Sequence, residues 1–382
     1  CRDFMNPKRQ TIHFDKKFID KDALKVLKVL HKAKFEAYLV GGCIRDLLLG
    51  QRPKDFDVAT NAMPEQIHKL FKRSKLIGRR FPLVHIMFSA RKYVEVATFR
   101  ASHTNLNKGG VARDNHYGTL KEDVFRRDFT VNALYYDTNK YQVIDFVDGL
   151  SAINELKICM IGNPIDRFEE DPVRMIRAIR FEVKLDAKLD SNITKAISQQ
   201  SHLLGGIPPA RLYDECIKLF HNEKSYRVFE RLIETGLLKH LFKQTNNSKF
   251  IKKALNNTSE RLKTNMSVAP AFLFSVLLWD SQNKHYKKIK KGNKSNFVAI
   301  NQASEEVISR QVKQVLMPKW LSARVKNVWM MQYQLEKCSS KKVTDLISNP
   351  GFRMAYDFLV LRSQSINPEL RDRAEYWKQI QK

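Results

Sequence analysis

Cysteine, acid and long apolar runs are all scarce in this chain, and each shortage excludes something. The five cysteines, Cys1, Cys43, Cys159, Cys216 and Cys338, are odd in number and never spaced as C-x-x-C. That argues against a disulfide framework and a zinc site and implies a reducing compartment, the cytoplasm. The longest apolar run, Val268 to Trp279, is too short to cross a bilayer and contains Pro270, so it reads as a buried helix and no stable membrane insertion is expected. No signal peptide and no internal repeat are visible. The chain begins at Cys1 rather than Met, yet nothing in Arg2 to Lys17 supports a lipid-modified terminus. Acidic residues number 40 against 68 basic ones, a formal net charge of +28. Such a surplus predicts attraction to a polyanion, nucleic acid first and a membrane surface second. A length of 382 residues exceeds what one core serves, so two or more domains are expected.

What is present is organised around Tyr38 to Thr60, YLVGGCIRDLLLGQRPKDFDVAT. The apolar run Ala37 to Val40 reads as a strand that breaks at Gly41-Gly42, where the backbone can take positive φ or approach a ligand closely. Cys43 to Leu49 has helical apolar spacing and stops at Gly50, which sets a helix N-terminus where an anion could bind. The chain becomes extended again at Asp55-Phe56-Asp57-Val58, and the period of two predicts that Asp55 and Asp57 share a face. Like charges so close are unfavourable without a cation between them, and Mg²⁺ is the natural one because it takes few carboxylates and completes its shell with water and phosphate. Alone, a Gly-Gly pair is more often a plain turn and Asp-x-Asp a solvated strand edge. Their combination in one short stretch is far more specific.

Along the rest of the chain, residues 1 to about 20 read as a basic arm, and Asp22 to Ala33 as an amphipathic helix capped by Asp22. Pro64 to Phe71 reads as another helix, and residues 76 to 99 as two strands joined near Ala90-Arg91. Glu95 in the second strand either approaches Asp55 and Asp57 as a further metal-facing carboxylate or pairs with a basic neighbour. Residues 101 to 115 read as a mobile loop, and Arg126-Arg127-Asp128 as the entry to a short helix through Asn132, with Asp128 as its cap. A hairpin over Tyr135 to Asp148 closes the sheet. From Arg167 the period is helical, and Asp171, Arg174, Arg177 and Arg180 recur every three residues as a drifting ridge. A carboxylate beside a guanidinium accepts from an amino group and donates to the adjacent ring nitrogen. Adenine and cytosine offer that edge, whereas guanine and uracil reverse it. Further on, a break is expected near 245 to 262. The basic runs Lys284 to Lys291 and Lys319 to Lys326, interleaved with Tyr286, Trp320, Trp329 and Tyr333, suit a groove for single-stranded RNA, although Trp329 and Tyr333 are spaced as core residues of one helix.

The stretch from Tyr38 to Thr60 resembles the signature of the nucleotidyltransferase superfamily and, within it, of the bacterial poly(A) polymerase and CCA-adding enzyme family. Arg126-Arg127-Asp128-Phe129-Thr130-Val131-Asn132-Ala133 and Glu170-Asp171-Pro172-Val173-Arg174 through Phe181 are similar to two further family motifs in the same order. The segment Leu76 to Phe81, followed by Leu83 to Ile86, looks like the poly(A) polymerase branch. The resemblance is close over about residues 20 to 240 and weak beyond. It implies an α+β fold: a basic arm (1–20), a catalytic head with a mixed sheet (21–150), a helical neck (151–240) and a helical RNA-binding body (241–382).

The resemblance also implies template-independent addition of AMP from ATP to RNA 3′ ends, with pyrophosphate released and Mg²⁺, or Mn²⁺ in its place, held by Asp55 and Asp57. Asp128 would join them as an active-site acid. Gly41, Gly42 and Arg45 would cradle the triphosphate, while Arg127, Asp171, Arg174, Arg177 and Arg180 would bind the nucleotide. The chain as given ends at Lys382 without the arginine-rich tail of many relatives, which leaves RNA affinity to the helical body. Two rival readings stand beside this one: a CCA-adding tRNA nucleotidyltransferase, and a non-catalytic RNA-binding protein with an inactive head.

Overall fold

A computed structural model describes residues 6–78, 82–101, 117–337 and 343–381. Arg79 to Phe81 of the branch-specific segment and nearly all of the expected loop at 101–115 lie outside the described residues, as do Cys1 and Cys338. The chain forms two compact units, Cys1–Arg167 with Asp186–Ile193, and Phe168–Leu185 with Thr194–Lys382.

The first unit is built on an eight-stranded mixed sheet. Its strands are β1 (Lys8–Thr11), β2 (Ala37–Val40), β3 (Asp57–Thr60), β4 (Ser74–Ile77), β5 (Leu83–Met87), β6 (Tyr93–Thr98), β7 (Tyr135–Asp137) and β8 (Gln142–Asp145), in the order β1-β8-β7-β2-β3-β6-β5-β4. Its helices are α1 (Lys21–Lys32), α2 (Gly42–Leu48), α3 (Pro64–Leu70), α4 (Leu120–Phe125) and α5 (Gly149–Asn154). Strands β3 and β6 run parallel and set Asp57 opposite Glu95, while β5 pairs with β6 antiparallel and sets His85 opposite the same Glu95. Side chains alternate along a strand, so these three register neighbours share one face. Val40, Ala59, Phe99, Val124, Tyr135 and Ile144 pack into a core behind the site.

Several local expectations are corrected here. The basic arm is partly ordered: β1 pairs with β8 and supplies partners that an uncovered strand edge would lack. Helix α1 is capped by Asp20, whose carboxylate accepts from the Asp22 and Ala23 N–H groups at 2.7 and 3.3 Å. Asp22 lies inside the first turn and pairs instead with Lys25 and Lys92. Residues 76 to 99 contribute to three strands rather than two, because Gly78 at φ 90° turns the chain between β4 and β5.

Helices follow: α6 (Pro164–Glu170), α7 (Val173–Leu185), α8 (Ser191–Gln200), α9 (Pro209–Phe220), α10 (Ser225–Glu234), α11 (Leu238–Leu241) and α12 (Lys249–Lys263). Then come α13 (Pro270–Lys290), α14 (Asn296–Val312), α15 (Lys319–Lys337), α16 (Val343–Ile347), α17 (Phe352–Ser363) and α18 (Arg371–Ile380). The break expected at 245 to 262 is instead mostly helix α12. Ser248 caps it, Phe250, Ile251, Ala254 and Leu255 bury one side, and Thr258 and Ser259 return their hydroxyls to the carbonyls of Ala254 and Leu255. The apolar run from Val268 is the buried first half of α13, and no described helix is long and apolar enough to cross a membrane.

Candidate active site

The site in the first unit begins with carboxylates. Asp57 opens β3, with Glu95 directly beside it on β6. Asp55 lies in the loop just before β3 rather than on the strand, so its nearness to Asp57 comes from the loop that Pro53 and Phe56 anchor, not from strand alternation. The Asp57 carboxyl is pushed up from 3.8 to about 6, first by the protein packed around it, then by the Glu95 charge, with Arg127 opposing and Asp55 adding to the rise. Its side chain is nevertheless exposed, so water screens part of that effect. Glu95 also lies 3.3 Å from His85 Nε2, whose ring stacks on Tyr93 at 4.1 Å between centroids. Glu95 thus stands beside Asp57 on the sheet and also has a basic neighbour in His85.

Above this wall, β2 ends at Val40, the chain turns at Gly41 with φ 79° and ψ −131°, and α2 starts at Gly42. A Cβ on Gly41 would sit 3.6 Å from Arg127 Nη1, and one on Gly42 3.3 Å from Arg45 Nη2. The glycine turn is thus bordered by two guanidinium groups. Arg45 is only 3% exposed, with Nε donating to Asp46 at 2.8 Å and Nη1 to Asn132 Oδ1 at 2.5 Å. Arg127 is held from below by Asp123, to which Nη2 donates at 2.9 Å, and by Tyr135, whose oxygen accepts from Nε at 2.9 Å. Tyr135 in turn donates to Asp123. Burial works against ionisation of Asp123, but Arg127, Arg126 and the Tyr135 hydroxyl outweigh it and lower its carboxyl to about 2. The sequence reading overlooked Asp123 and Tyr135. The four-residue spacing of Asp123 and Arg127 across the end of α4 was the available signal, since such residues face each other on a helix.

Asp128 caps no helix. Helix α4 ends before Arg126, the next turn is a 3₁₀ helix over Thr130–Asn132, and Phe129 occupies its cap position without a side-chain bond. The Asp128 carboxylate accepts from the adjacent Phe129 N–H at 2.8 Å, and its carbonyl accepts from Ile161. Arg167 Nη2 donates to the carbonyls of Arg126 and Arg127 at 2.7 and 2.6 Å, which fixes this segment.

In the second unit, Asp171 precedes α7, so the ridge on that helix consists of Arg174, Arg177 and Arg180 with Asp171 at its N-terminus. Asp171 accepts from the Val173 N–H and from Arg211 at 2.6 Å, while Arg174 donates to Glu170 at 2.8 Å. Arg177 and Arg180 lie over the Phe181 ring at 5.5 and 5.0 Å, and Arg180 approaches Glu215 at 3.9 Å. Of the four rings assigned to an RNA groove, Trp329 is core: it is 1% exposed and donates to the Ser275 carbonyl at 3.1 Å. Tyr286 and Tyr333 are half-buried and joined through Asn296, and Trp320 is 49% exposed beside Arg324.

No three His, Cys, Asp or Glu side chains among the described residues form a metal cage by themselves. A hard ion that draws most of its ligands from water and phosphate needs no such cage. Clustered carboxylates with one pushed up to about 6 are the kind of donor set such an ion relieves.

A mixed sheet carrying paired aspartates beside a Gly-Gly turn, followed by a mainly helical region in which only the short parallel pair Lys157–Ile158 and Lys188–Leu189 is extended among the described residues, defines the nucleotidyltransferase class. Residues 37–159 match the Poly A polymerase head domain, 187–249 the probable RNA and SrmB-binding site of polymerase A, and 292–382 the polymerase A arginine-rich C-terminus. The poly(A) polymerase I of Salmonella typhimurium is 39% identical across 98% of this chain and 85% of its own length. A CCA-adding enzyme of Ligilactobacillus salivarius is 37% identical, but across only 58% of this chain and 54% of its own. A crystal structure of the Bacillus stearothermophilus CCA-adding enzyme in complex with CTP has a TM-score of 0.66 at 26% identity, covering 92% of this chain and 81% of that one. The chain belongs to the poly(A) polymerase I family, RNA nucleotidyltransferases that add adenylate to 3′ ends.

Proposed function

We propose that Asp55, Asp57 and Glu95 hold Mg²⁺, or Mn²⁺ in its place, while this chain transfers AMP from ATP to the 3′ hydroxyl of RNA. The observation that carries the metal assignment is the parallel β3–β6 register, which aligns Glu95 with Asp57. Ions held by these carboxylates would supply charge stabilisation for the attacking oxygen and for the leaving pyrophosphate of an in-line displacement. The open backbone at Gly41 and Gly42 lets the triphosphate approach, and Arg127 offsets its charge from a guanidinium already oriented by Asp123 and Tyr135. Arg45, held by Asp46 and Asn132, adds positive potential beneath the turn. Asp128 remains assigned to the active site, next to Arg127.

We assign the head to residues 21–150, the neck to 151–240 and the RNA-binding body to 241–382. In the neck, Asp171 and Arg174 would read the amino-plus-acceptor edge of adenine, with Arg211 and Glu170 holding them before the base arrives, and Arg177 and Arg180 supporting the nucleotide. An RNA substrate and the free thiols of Cys43, Cys159 and Cys216 support a cytoplasmic location.

The experiment supplies purified protein and Mg²⁺ with an oligoadenylate primer or a tRNA lacking its terminal CCA, and ATP and CTP separately and together. Long ladders from ATP on the oligoadenylate, with little CTP incorporated on either RNA, are expected. Clean addition of C, C and A to the tRNA without a ladder on the oligoadenylate would overturn the adenylation reading while leaving the metal site intact.

A further inference from the structure

The second unit contains a cavity of about 380 Å³ that plays no part in the transfer reaction described above. Leu204 and Ile207 contribute apolar lining, and Lys239, Lys243 and Lys313 bring three ammonium groups to it without any carboxylate in the lining. Among the described residues, none of the three ammonium groups has an ion-pair or hydrogen-bond partner. The lysines come from two segments far apart in sequence, joined by side-chain amides. Gln314 accepts from the Lys243 N–H at 3.2 Å and donates to the Lys239 carbonyl at 3.4 Å, and Gln311, fully buried, donates to the Leu241 carbonyl at 2.8 Å. The lysines are therefore held near one another by the backbone that carries them. Three uncompensated like charges around one cavity repel each other, and an anion relieves that repulsion.

His240 adds a second observation. Its Nε2 is buried and lacks a hydrogen-bond partner, although His240 lines the same cavity. Burial, together with Lys239 and His202, holds this imidazole below its ordinary value, so near neutral pH it is an uncharged ring able to donate one N–H. A phosphate oxygen accepts from both ammonium and imidazole donors.

We propose that this cavity is a phosphate subsite that seats one backbone phosphodiester of the RNA strand. The assignment rests on the RNA reading above and extends it to Lys313 and Gln314, outside the region matched as RNA-binding. A single such contact on a single strand adds one counterion-release increment to binding, a slope of about 0.7 in log K against log salt.

The test uses the full chain carrying Lys239→Ala, Lys243→Ala and Lys313→Ala together. Fluorescent oligoadenylate is titrated by anisotropy across about 50 to 300 mM KCl without ATP. The slope should fall by about 0.7, while Lys28→Ala, Lys32→Ala and Lys140→Ala, a charge-matched set exposed on the first unit, should leave it nearly unchanged. The three lysines are exposed, so the triple variant should fold and melt at or slightly above the parent as their mutual repulsion is removed. His240→Phe should weaken RNA binding without changing the slope, because it removes a neutral donor. An unchanged slope in the triple variant, or an equal fall in the charge-matched set, would overturn the proposal. So would inorganic phosphate, or a polyglutamate peptide, that binds the parent and not the triple variant while the RNA slope stays the same. Those outcomes would assign the cavity to a free anion or an acidic protein segment. Binding is read without catalysis, so failure here is distinguishable from failure of the adenylation reading.

Discussion

Replacing Asp57 by Asn should make the metal-free protein more stable and the enzyme inactive. The Asp57 carboxyl stands at about 6 instead of 3.8 because surrounding protein, Glu95 and Asp55 all disfavour its charge. At about 1.36 kcal/mol per pH unit the full displacement amounts to roughly 3 kcal/mol. Asp57 is exposed, however, and solvent screening reduces the expected penalty to about 1 kcal/mol. The sign follows from proton linkage. Between about pH 4 and 6 the folded carboxyl keeps a proton that the unfolded one has released, so stability falls as pH rises through that window. Above it the penalty is complete, and below it the penalty vanishes. In buffer with EDTA at about pH 8, Asp57→Asn should raise the melting temperature of the first unit by roughly 2–4 °C, and by nothing near pH 4. Adding Mg²⁺ at pH 8 should stabilise the parent more than the variant, and adenylate transfer by the variant should be abolished. A variant that melts below the parent at pH 8 without metal, or a difference that does not change with pH, would refute the carboxylate-repulsion argument.

Asp123 obeys the opposite sign. Its carboxyl lies near 2, so the stability it contributes is present above the unfolded value of 3.8 and lost as pH falls toward 2. Asp123→Asn should cost about 2–4 kcal/mol because it leaves the half-buried guanidinium groups of Arg126 and Arg127 without their buried charge partner, which denaturant titration at neutral pH will measure. Tyr135→Phe is the milder probe: it should cost about 1–2 kcal/mol and raise KM for ATP more than it lowers kcat, since Arg127 loses one of its restraints. Equal losses in kcat and kcat/KM would show that the tyrosine acts only in the transition state. Trp329→Ala should destabilise the second unit by about 3–5 kcal/mol and leave the salt dependence of RNA binding unchanged, as a core ring requires.

Much of the site was legible in the chain because its signals are local. The strand, positive-φ glycine and helix around Gly41 occur as their residue pattern demands, and the buried first half of α13 follows from one apolar run. Errors arose where a local rule met a competitor. Asp20 and Asp22 are equally good caps by type, and the backbone conformation at Asp20 decides between them. Residues 245 to 262 read as a break, yet the buried apolar face of Phe250, Ile251, Ala254 and Leu255 carries a helix through most of them. Trp329 and Trp320 look alike in sequence, while one is packed beneath α13 and the other stands at the exposed start of α15.

Residue type and spacing within a few turns or one strand carry the family, the glycine turn and the basic character of the body, and they mark Asp55 and Asp57 as candidate metal ligands. Which groups meet across long separations is set by the packed fold. Glu95 becomes a neighbour of Asp57 through a parallel strand pair, and Arg127 is aimed by a tyrosine from β7. Lys313 joins Lys239 and Lys243 because two glutamines tie α14 to the segment around α11. Such encounters are set by strand register and helix packing, which minimise free energy over the whole chain, so no window of the sequence short enough to read by pattern contains them.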